Sequence, residues 1–174
     1  KKKAKKQMEA AIDEAKSKSL SNHDIIRALN NRTRIITYED LKGIRNIEDI
    51  LKPYGNCIIL YQDGPTSGHW VVLNKRHNCY EFFDSYGMMP DEQLQFMHYG
   101  DKVPRLSTLL EKTQMPVVYN PFKLQGDGDD VNVCGRWCLL RVILSQMPLL
   151  DFVEMFLSGD HEPDYYATIL TEGL

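Results

Sequence analysis

Two strand-like segments separated by a short polar turn restrict the fold of this chain more than any other part of its sequence. The segments His69–Asn74 and Cys79–Asp84 are rich in Val, Phe and Tyr, which favour strands. The turn between them, Lys75–Asn78, has the composition of a hairpin loop. Because strands joined by so short a loop pair antiparallel, the chain is expected to contain an antiparallel sheet built around this hairpin.

The length of the hairpin loop decides whether His69 and Asp84, at the open end of the hairpin, lie on one face. A two-residue loop at Arg76-His77 places them directly opposite each other, with Cβ atoms about 4.5–5.5 Å apart. A loop at His77-Asn78 makes the pair diagonal on the same face, and a three-residue loop puts the two residues on opposite faces. A carboxylate beside an imidazole fixes the ring tautomer and stabilises the charged form, so the pair is a candidate catalytic base with its orienting group.

A cysteine at the start of an apolar segment is the second chemical signal. The segment Cys134–Met147 predicts a helix that is apolar almost all round and therefore buried, with Asn132 as its cap. This places Cys134 in the first helical turn, where unpaired backbone N–H groups and the helix dipole favour a thiolate. Gly135 leaves room for a substrate backbone. A thiol so placed, paired with a charged His69, would be an activated nucleophile.

The remaining segments predict an α+β fold, in which helices flank a small, mostly antiparallel sheet and the candidate nucleophile begins a buried central helix. A short apolar run at Cys57–Tyr61 predicts a further strand. Residues 1–19 are rich in Lys, Ala and Glu and predict an N-terminal helix or tail. The length of 174 residues fits a single domain, residues 1–174.

The composition argues against several classes of protein. A net charge of −3 is unlike that of a protein coated in nucleic acid, and no apolar run approaches the roughly 20 residues of a membrane span. Four cysteines are too few for a disulfide framework in a chain of this length, so we expect reduced thiols in an intracellular or virion setting. Their spacing does not match a zinc site, and we expect neither a metal nor another cofactor.

One cluster of basic residues departs from this overall charge. It lies at the start of the chain and consists of Lys1, Lys2, Lys3, Lys5 and Lys6. A solvated helix end accounts for such a cluster, and the competing interpretation is a weak contact with nucleic acid. Nucleic-acid binding through these lysines would weaken steeply with added salt.

Taken in chain order, the candidate residues resemble those of a known enzyme superfamily. The runs Gly68-His69-Trp70-Val71, Phe83-Asp84-Ser85-Tyr86-Gly87 and Cys134-Gly135-Arg136-Trp137-Cys138, with Gln125 before the last, are similar to the motifs of the adenain and SUMO-protease cysteine peptidases. The order His, Asp, Gln, Cys matches that superfamily and reverses the order in papain. The resemblance covers about residues 57–147, which it implies to be the catalytic core.

The resemblance implies a role for each of these residues. His69 is the expected general base, Asp84 its orienting residue and Cys134 the nucleophile. Gln125 is the expected oxyanion-hole donor, although it precedes the cysteine by nine residues, a longer separation than the superfamily usually shows. The resemblance further implies that Trp70 packs beside the catalytic histidine, and that a narrow groove favours small residues, often glycine, before the cut.

Three functions remain open. The first is a cysteine endopeptidase that cleaves capsid or structural precursors of a virus or mobile element, because the run Phe-Asp-Ser-Tyr-Gly-x-x-Pro-Asp is most similar to proteases of large DNA viruses, virophages and Maverick-type elements. The second is a SUMO, NEDD8 or ubiquitin isopeptidase of the same superfamily. The third is a catalytically silent binding module. For the protease we expect a protein substrate, a thioester acyl-enzyme, a monomeric state, and a location in the host cytoplasm, the nucleus or the virion.

Each candidate residue also has a purely structural explanation. A cysteine at a helix start is more often a small buried hydrophobe than a nucleophile. A histidine on a strand is often half-buried without a catalytic role, and Asp84 begins a favourable turn sequence, Asp-Ser-Tyr-Gly. The occurrence of all of these residues in one superfamily order favours catalysis over the structural explanation.

Overall fold

The computed structural model describes residues 2–128 and 132–174. The α-helices are α1 (Lys2–Ser17), α2 (Asn22–Ala28), α3 (Glu48–Leu51), α4 (Arg105–Glu111), α5 (Cys134–Ile143), α6 (Leu149–Leu157) and α7 (Pro163–Thr171). The strands are β1 (Arg34–Thr37), β2 (Asn56–Gln62), β3 (Gly68–Lys75), β4 (Tyr80–Phe83) and β5 (Val117–Tyr119), and short 3-10 helices span Tyr38–Gly43 and Glu92–Phe96.

The strands form one five-stranded sheet in the order β1-β2-β3-β4-β5. The three central strands pair antiparallel, and the short edge strands β1 and β5 join them in parallel. Helices cover both faces of this sheet, so the predicted α+β class is confirmed. None of the described helices is long and apolar enough to cross a membrane.

The predicted hairpin forms, and its register selects one of the alternatives left open by the sequence. Lys75 pairs with Tyr80 in the β3–β4 ladder, and the Arg76 N–H donates to the Cys79 carbonyl at 2.9 Å. The loop is therefore His77-Asn78, and the pair His69 and Asp84 is diagonal rather than directly opposite. The two residues still share one face of the hairpin, as the two-residue loops require.

Alternate residues of the central strands build two hydrophobic cores, one on each face of the sheet. Ile58, Leu60, Trp70, Val72 and Phe83 pack under α5 and α6, together with the buried aromatic rings of Trp137, Phe152 and Phe156. Ile59, Tyr61, Val71, Leu73 and Phe82 pack on the other face against α3, α4 and the 3-10 segments. Helix α5 is buried along most of its length, as its apolar sequence predicts.

A buried ion pair ties the carboxyl half of α5 to the hairpin. The Arg141 side chain is fully buried and donates to both carboxylate oxygens of Glu81 on β4, at 3.0 and 3.1 Å. Arg76 and Asn74 donate to the same carboxylate, and Arg141 also donates to the Met147 carbonyl. Burial alone would raise the pKa of Glu81, but the hydrogen bonds and charge of the arginines lower it below its ordinary value.

Candidate active site

His69 and Asp84 meet where the hairpin ladder ends. The β3–β4 pairing stops at Val72 and Phe83, so His69 lies at the start of β3 beyond the ladder and Asp84 directly follows β4. His69 Nε2 is 2.8 Å from Asp84 Oδ1, and both side chains are buried. The same oxygen accepts the Tyr86 N–H at 2.7 Å. Asp84 therefore both orients the imidazole and stabilises the turn that begins at Asp84.

The surroundings of this pair restrict its motion. The ring of Tyr86 stacks on His69 with centroids 4.7 Å apart. The fully buried Asn120 donates through Nδ2 to the carbonyls of Asp84 and Phe122, and its Oδ1 accepts the Phe122 N–H. These bonds hold the Asp84 turn against the loop that follows β5, so the carboxylate is fixed from its backbone as well as through His69.

Cys134 is the first residue of α5, and its sulfur lies close enough to His69 and to the backbone N–H groups of Trp70 and Gly135 for all three to stabilise a thiolate. Because Nε2 of His69 is engaged by Asp84, Nδ1 is the ring nitrogen left for proton exchange with the sulfur. The structure thus brings together the three residues that the sequence places far apart along the chain.

The electrostatics of the trio favour a thiolate beside an imidazolium. Burial alone would raise the pKa of Cys134, but the hydrogen bond and charge of His69 lower it below the ordinary thiol value. Burial alone would lower the pKa of His69, but its hydrogen bonds with Asp84 and Cys134 raise it above the ordinary imidazole value. Between these two pKa values the pair carries both charges, which is the reactive form of a cysteine nucleophile.

Asn132 does not cap α5, contrary to the prediction from its position. The N-cap residue is Val133, whose side chain cannot hydrogen-bond. Asn132 instead donates through Nδ2 to the Ser17 carbonyl at 3.1 Å, at the end of α1. The first turn of α5 still presents its backbone N–H groups to Cys134, because that property depends on the helix and not on the cap.

We expect the Cys134 thiol to react with iodoacetamide at a lower pH than an ordinary thiol does, because its pKa is lowered. In His69→Ala the Cys134 sulfur remains buried but no longer has the imidazolium beside it, so its pKa should rise. The rate profile should then move to higher pH. Mass spectrometry of the alkylated peptide, sampled across pH, measures this directly.

Cys57 and Cys138 provide internal controls for this experiment, since burial raises the pKa of Cys57 to about 12 and that of Cys138 well above its usual range. They should stay unmodified while the protein is folded. Superimposable Cys134 profiles for wild type and His69→Ala would show that the histidine does not ionise the thiol.

Gln125 is buried in the loop after β5 and is anchored beside Asp84. Its Oε1 accepts the Ser85 hydroxyl at 2.7 Å, and its backbone N–H donates to the Ser85 carbonyl at 2.9 Å. With its oxygen engaged in this way, the amide is oriented by the residue next to Asp84. The described residues do not include 129–131, which lie between this glutamine and Cys134.

Sequence reasoning missed three residues that support the site. Ser85 lies inside the quoted motif but was given no role, whereas Asn120 and Asp164 stand outside every motif. Asp164 on α7 accepts the Trp137 indole N–H at 2.8 Å and the Gly126 N–H at 2.7 Å. It thereby connects α7 to α5 and to the residue after Gln125. Nothing in the local sequence signals these long-range bonds.

A groove of about 650 Å³ runs beside Cys134. Trp70 and Gly135 are among its lining residues, with the α1–α2 connection, the end of β1 and the β2–β3 loop. A Cβ added at Gly135 would lie 3.3 Å from Leu20 Cβ and 3.6 Å from both Ile25 Cδ1 and Trp70 Cδ1, so α5 packs closely against these side chains at this point. The described lining residues include the carboxylates Asp40 and Asp63 but neither Lys nor Arg.

The described residues hold no group of three or more His, Cys, Asp or Glu arranged to bind a metal. The basic cluster lies on the exposed start of α1, where Lys2, Lys3, Lys5 and Lys6 are described and Lys1 lies outside the described residues. A 16-residue helix is about 24 Å long, so these lysines are at the opposite end of α1 from Ser17 and Asn132.

Comparison with known proteins identifies a relative and a shared fold. The sequence matches no model of a known protein family. It is 40% identical over 141 residues to uncharacterized protein V9 of Sputnik virophage, a match that covers 77% of this chain and 81% of that protein.

The fold is similar to that of the ASFV pS273R protease. The crystal structure of that protease covers 89% of this chain with a TM-score of 0.53 at 14% identity, and the match spans 67% of the protease. Its selenomethionine form gives a TM-score of 0.50 at 18% identity over 87% of this chain and 67% of that one. The chain therefore belongs to the family of Sputnik virophage protein V9 and has a fold similar to that of the ASFV pS273R protease.

Proposed function

We propose that this protein is a cysteine endopeptidase with Cys134 as nucleophile, His69 as general acid and base, and Asp84 as the residue that orients the imidazole. The observation that carries the proposal is the arrangement of His69, whose ring hydrogen-bonds to Asp84 at 2.8 Å and interacts electrostatically with the Cys134 sulfur. Burying a charged pair is unfavourable unless the charges are paired and hydrogen-bonded, and a silent binding module has no need of such a pair.

In this mechanism the Cys134 thiolate attacks the scissile carbonyl and forms a tetrahedral intermediate. The imidazolium of His69 gives its proton to the leaving amine, and a thioester acyl-enzyme results. A water molecule, deprotonated by His69, then releases the acyl group and restores the thiol. Asp84 keeps its negative charge throughout and stabilises the imidazolium.

The oxyanion of the intermediate requires hydrogen-bond donors close to the nucleophile. The backbone N–H of Cys134, at the start of α5, is one donor that the helix geometry offers. We assign the Gln125 amide as the second donor, and the bond from the Ser85 hydroxyl to its oxygen supports this assignment because it fixes the orientation of the amide. Removing one oxyanion donor typically lowers kcat by about 10²–10³-fold.

Two comparisons support a role in processing viral or mobile-element proteins. The fold resembles a protein named as a protease of ASFV, and the sequence relative belongs to a virophage. We infer a capsid or structural precursor as the substrate, cut after a small residue.

The substrate class is tested by presenting two kinds of substrate to the same enzyme preparation. One is a set of short peptides with glycine or a larger residue before the cut, and the other is a ubiquitin-like reporter ending in diglycine. We expect the glycine peptides to be cleaved. The kcat/KM should fall about 100-fold when leucine replaces the glycine, because the larger leucine side chain would not fit beside the nucleophile in the transition state.

The outcomes of this comparison are distinct. Rapid cleavage of the reporter with little cleavage of the peptides would assign the protein to the isopeptidases. Cleavage of neither substrate, by a protein whose Cys134 still alkylates at neutral pH, would remove the peptidase assignment altogether.

A further inference from the structure

The carboxyl end of α1 contacts the residues on both sides of the nucleophile. Asn132 donates its N–H to the Lys16 carbonyl at 2.9 Å and its Nδ2 to the Ser17 carbonyl at 3.1 Å. Arg136 Nη2 lies 3.4 Å from the Ala15 carbonyl. The last carbonyls of a helix lack partners within the helix and carry partial negative charge, so these donors satisfy and stabilise the end of α1.

Arg136 lies two residues after Cys134 in α5, and its side chain connects this helix to α1 and α7. It is 4% exposed, and besides Ala15 on α1 it donates through Nη1 to Thr171 Oγ1 on α7 at 2.9 Å. Its Nη2 also lies 2.9 Å from a carboxylate oxygen of Glu172. A buried guanidinium needs such partners, and here the bonds to Ala15 and Thr171 fix the position of the first turn of α5 relative to α1 and α7.

Few apolar contacts hold α1 in place. Ile12 and Ala15 are its buried residues, so the bonds to Asn132 and Arg136 form a large part of its attachment. Directly after the helix, Leu20 lies against Gly135 and borders the groove. The segment from Ala15 to Leu20 therefore contacts the nucleophile helix through its backbone and its side chains.

We propose that Asn132 and Arg136 are positioning residues, and that α1 orients the Cys134 thiolate through them. The first turn of α5 has Val133 at its N-cap, so its orientation depends on contacts from outside the helix. A sulfur displaced by about 1 Å loses its alignment with the reacting carbonyl and can lower the rate by about 100-fold. This inference rests on the proposed function for its kinetic part, but the reactivity of the thiol tests it independently.

The first test replaces Arg136. Arg136→Met keeps the length of the side chain but removes the guanidinium, and Arg136→Lys keeps the charge but cannot bridge α1 and α7. We expect kcat for a glycine peptide to fall about 10- to 100-fold in Arg136→Met with KM changed less than about threefold, and the lysine variant to lie in between. The pH profile of Cys134 alkylation should shift to higher pH in the same order.

Glu172→Gln is the matched control, because it removes the exposed ion-pair partner of Arg136 and leaves the bonds to Ala15 and Thr171 in place. It should leave kcat and the alkylation profile unchanged. A purely structural Arg136 would lower the unfolding temperature without altering the alkylation profile of the folded protein, and that result would overturn the proposal.

The second test displaces α1 without touching α5. Ile12→Asp places a charge at a buried position of α1, and hydrogen exchange of residues 2–17 reports whether the helix detaches. We expect the same loss of kcat as in Arg136→Met, and no further loss in the double variant, because both changes break the same connection between α1 and the first turn of α5. Additive losses, or a detached α1 with an unchanged Cys134 profile, would contradict the proposal.

If Arg136→Met does not fold, Asn132→Ala is the substitute, since that residue is only partly buried. It should show the same shift in alkylation at a smaller scale, and an unchanged profile would again contradict the proposal. Failure of the proposed function has a different signature: no peptide is cleaved by the wild type, while the variants still shift the alkylation profile.

Discussion

Replacing Cys134 with alanine should abolish peptide cleavage and leave the protein folded. The proposed mechanism has no substitute nucleophile, so we expect kcat to fall by about 10⁴-fold or more. Alanine is the best helix former and is smaller than cysteine, so the first turn of α5 should persist. Initial rates on a glycine peptide, with circular dichroism and a thermal melt of the same sample, measure both halves of this expectation.

Cys138→Ala is the matched control for this experiment. Cys138 lies one turn further along α5, is buried in the core and has a pKa raised by burial, so it lacks the features of a nucleophile. Its replacement should cost some stability through lost packing but leave kcat within about threefold. Asp84→Ala should be less severe than Cys134→Ala, because an orienting residue takes no proton. Persistent cleavage by Cys134→Ala would refute the assignment of the nucleophile.

Replacing Glu81 with alanine should lower the free energy of unfolding by about 3–5 kcal/mol. The change leaves the fully buried Arg141 without its opposite charge, at a distance from the Cys134 end of α5. Urea denaturation at neutral pH measures the loss. The folded fraction should retain its kcat, since Arg141 is seven residues, about 10 Å of helix, beyond the nucleophile.

The same pair has a pH signature with a definite sign. The pKa of Glu81 is lowered in the folded state, so its stabilisation is present above the unfolded pKa of about 4.3 and is lost as the pH falls through the folded value. Glu81→Gln should therefore show a smaller loss of stability on acidification than the wild type.

The control is Glu48→Ala, which breaks the more exposed contact of Glu48 with Lys75 and should cost about 1 kcal/mol or less. An equal loss in the Glu48 and Glu81 variants would show that burial of Arg141 does not set the size of the effect.

Local signals in the sequence were sufficient for the hairpin and for the position of the candidate nucleophile. The strand composition around Lys75–Asn78 predicts the hairpin, and the face shared by His69 and Asp84 follows from its two-residue loop. The exact register was not predictable, because neighbouring dipeptides in the turn are equally suited to the loop. The edge strand β1 was missed because four residues give too short a pattern to recognise.

Predictions failed or were missing where a residue bonds to a distant segment. Asn132 is a residue type that often caps helices, and it stands just before α5. Its amide instead bonds to a carbonyl at the end of α1, which belongs to a residue more than 100 positions earlier. The pairing of Glu81 with Arg141 joins a strand and a helix 60 residues apart. Periodicity and motif spacing describe single elements, so contacts between elements of this kind need the folded structure.

The bonds made by α7 have a consequence for the chain during its synthesis. This helix follows all four proposed catalytic residues, and its Asp164 and Thr171 hold Gly126, Trp137 and Arg136. A ribosome-bound chain that has not yet released α7 lacks these bonds, although Cys134, His69 and Asp84 have already been made. The support that α7 gives to the first turn of α5 and to the residue after Gln125 therefore forms only after translation has passed Cys134.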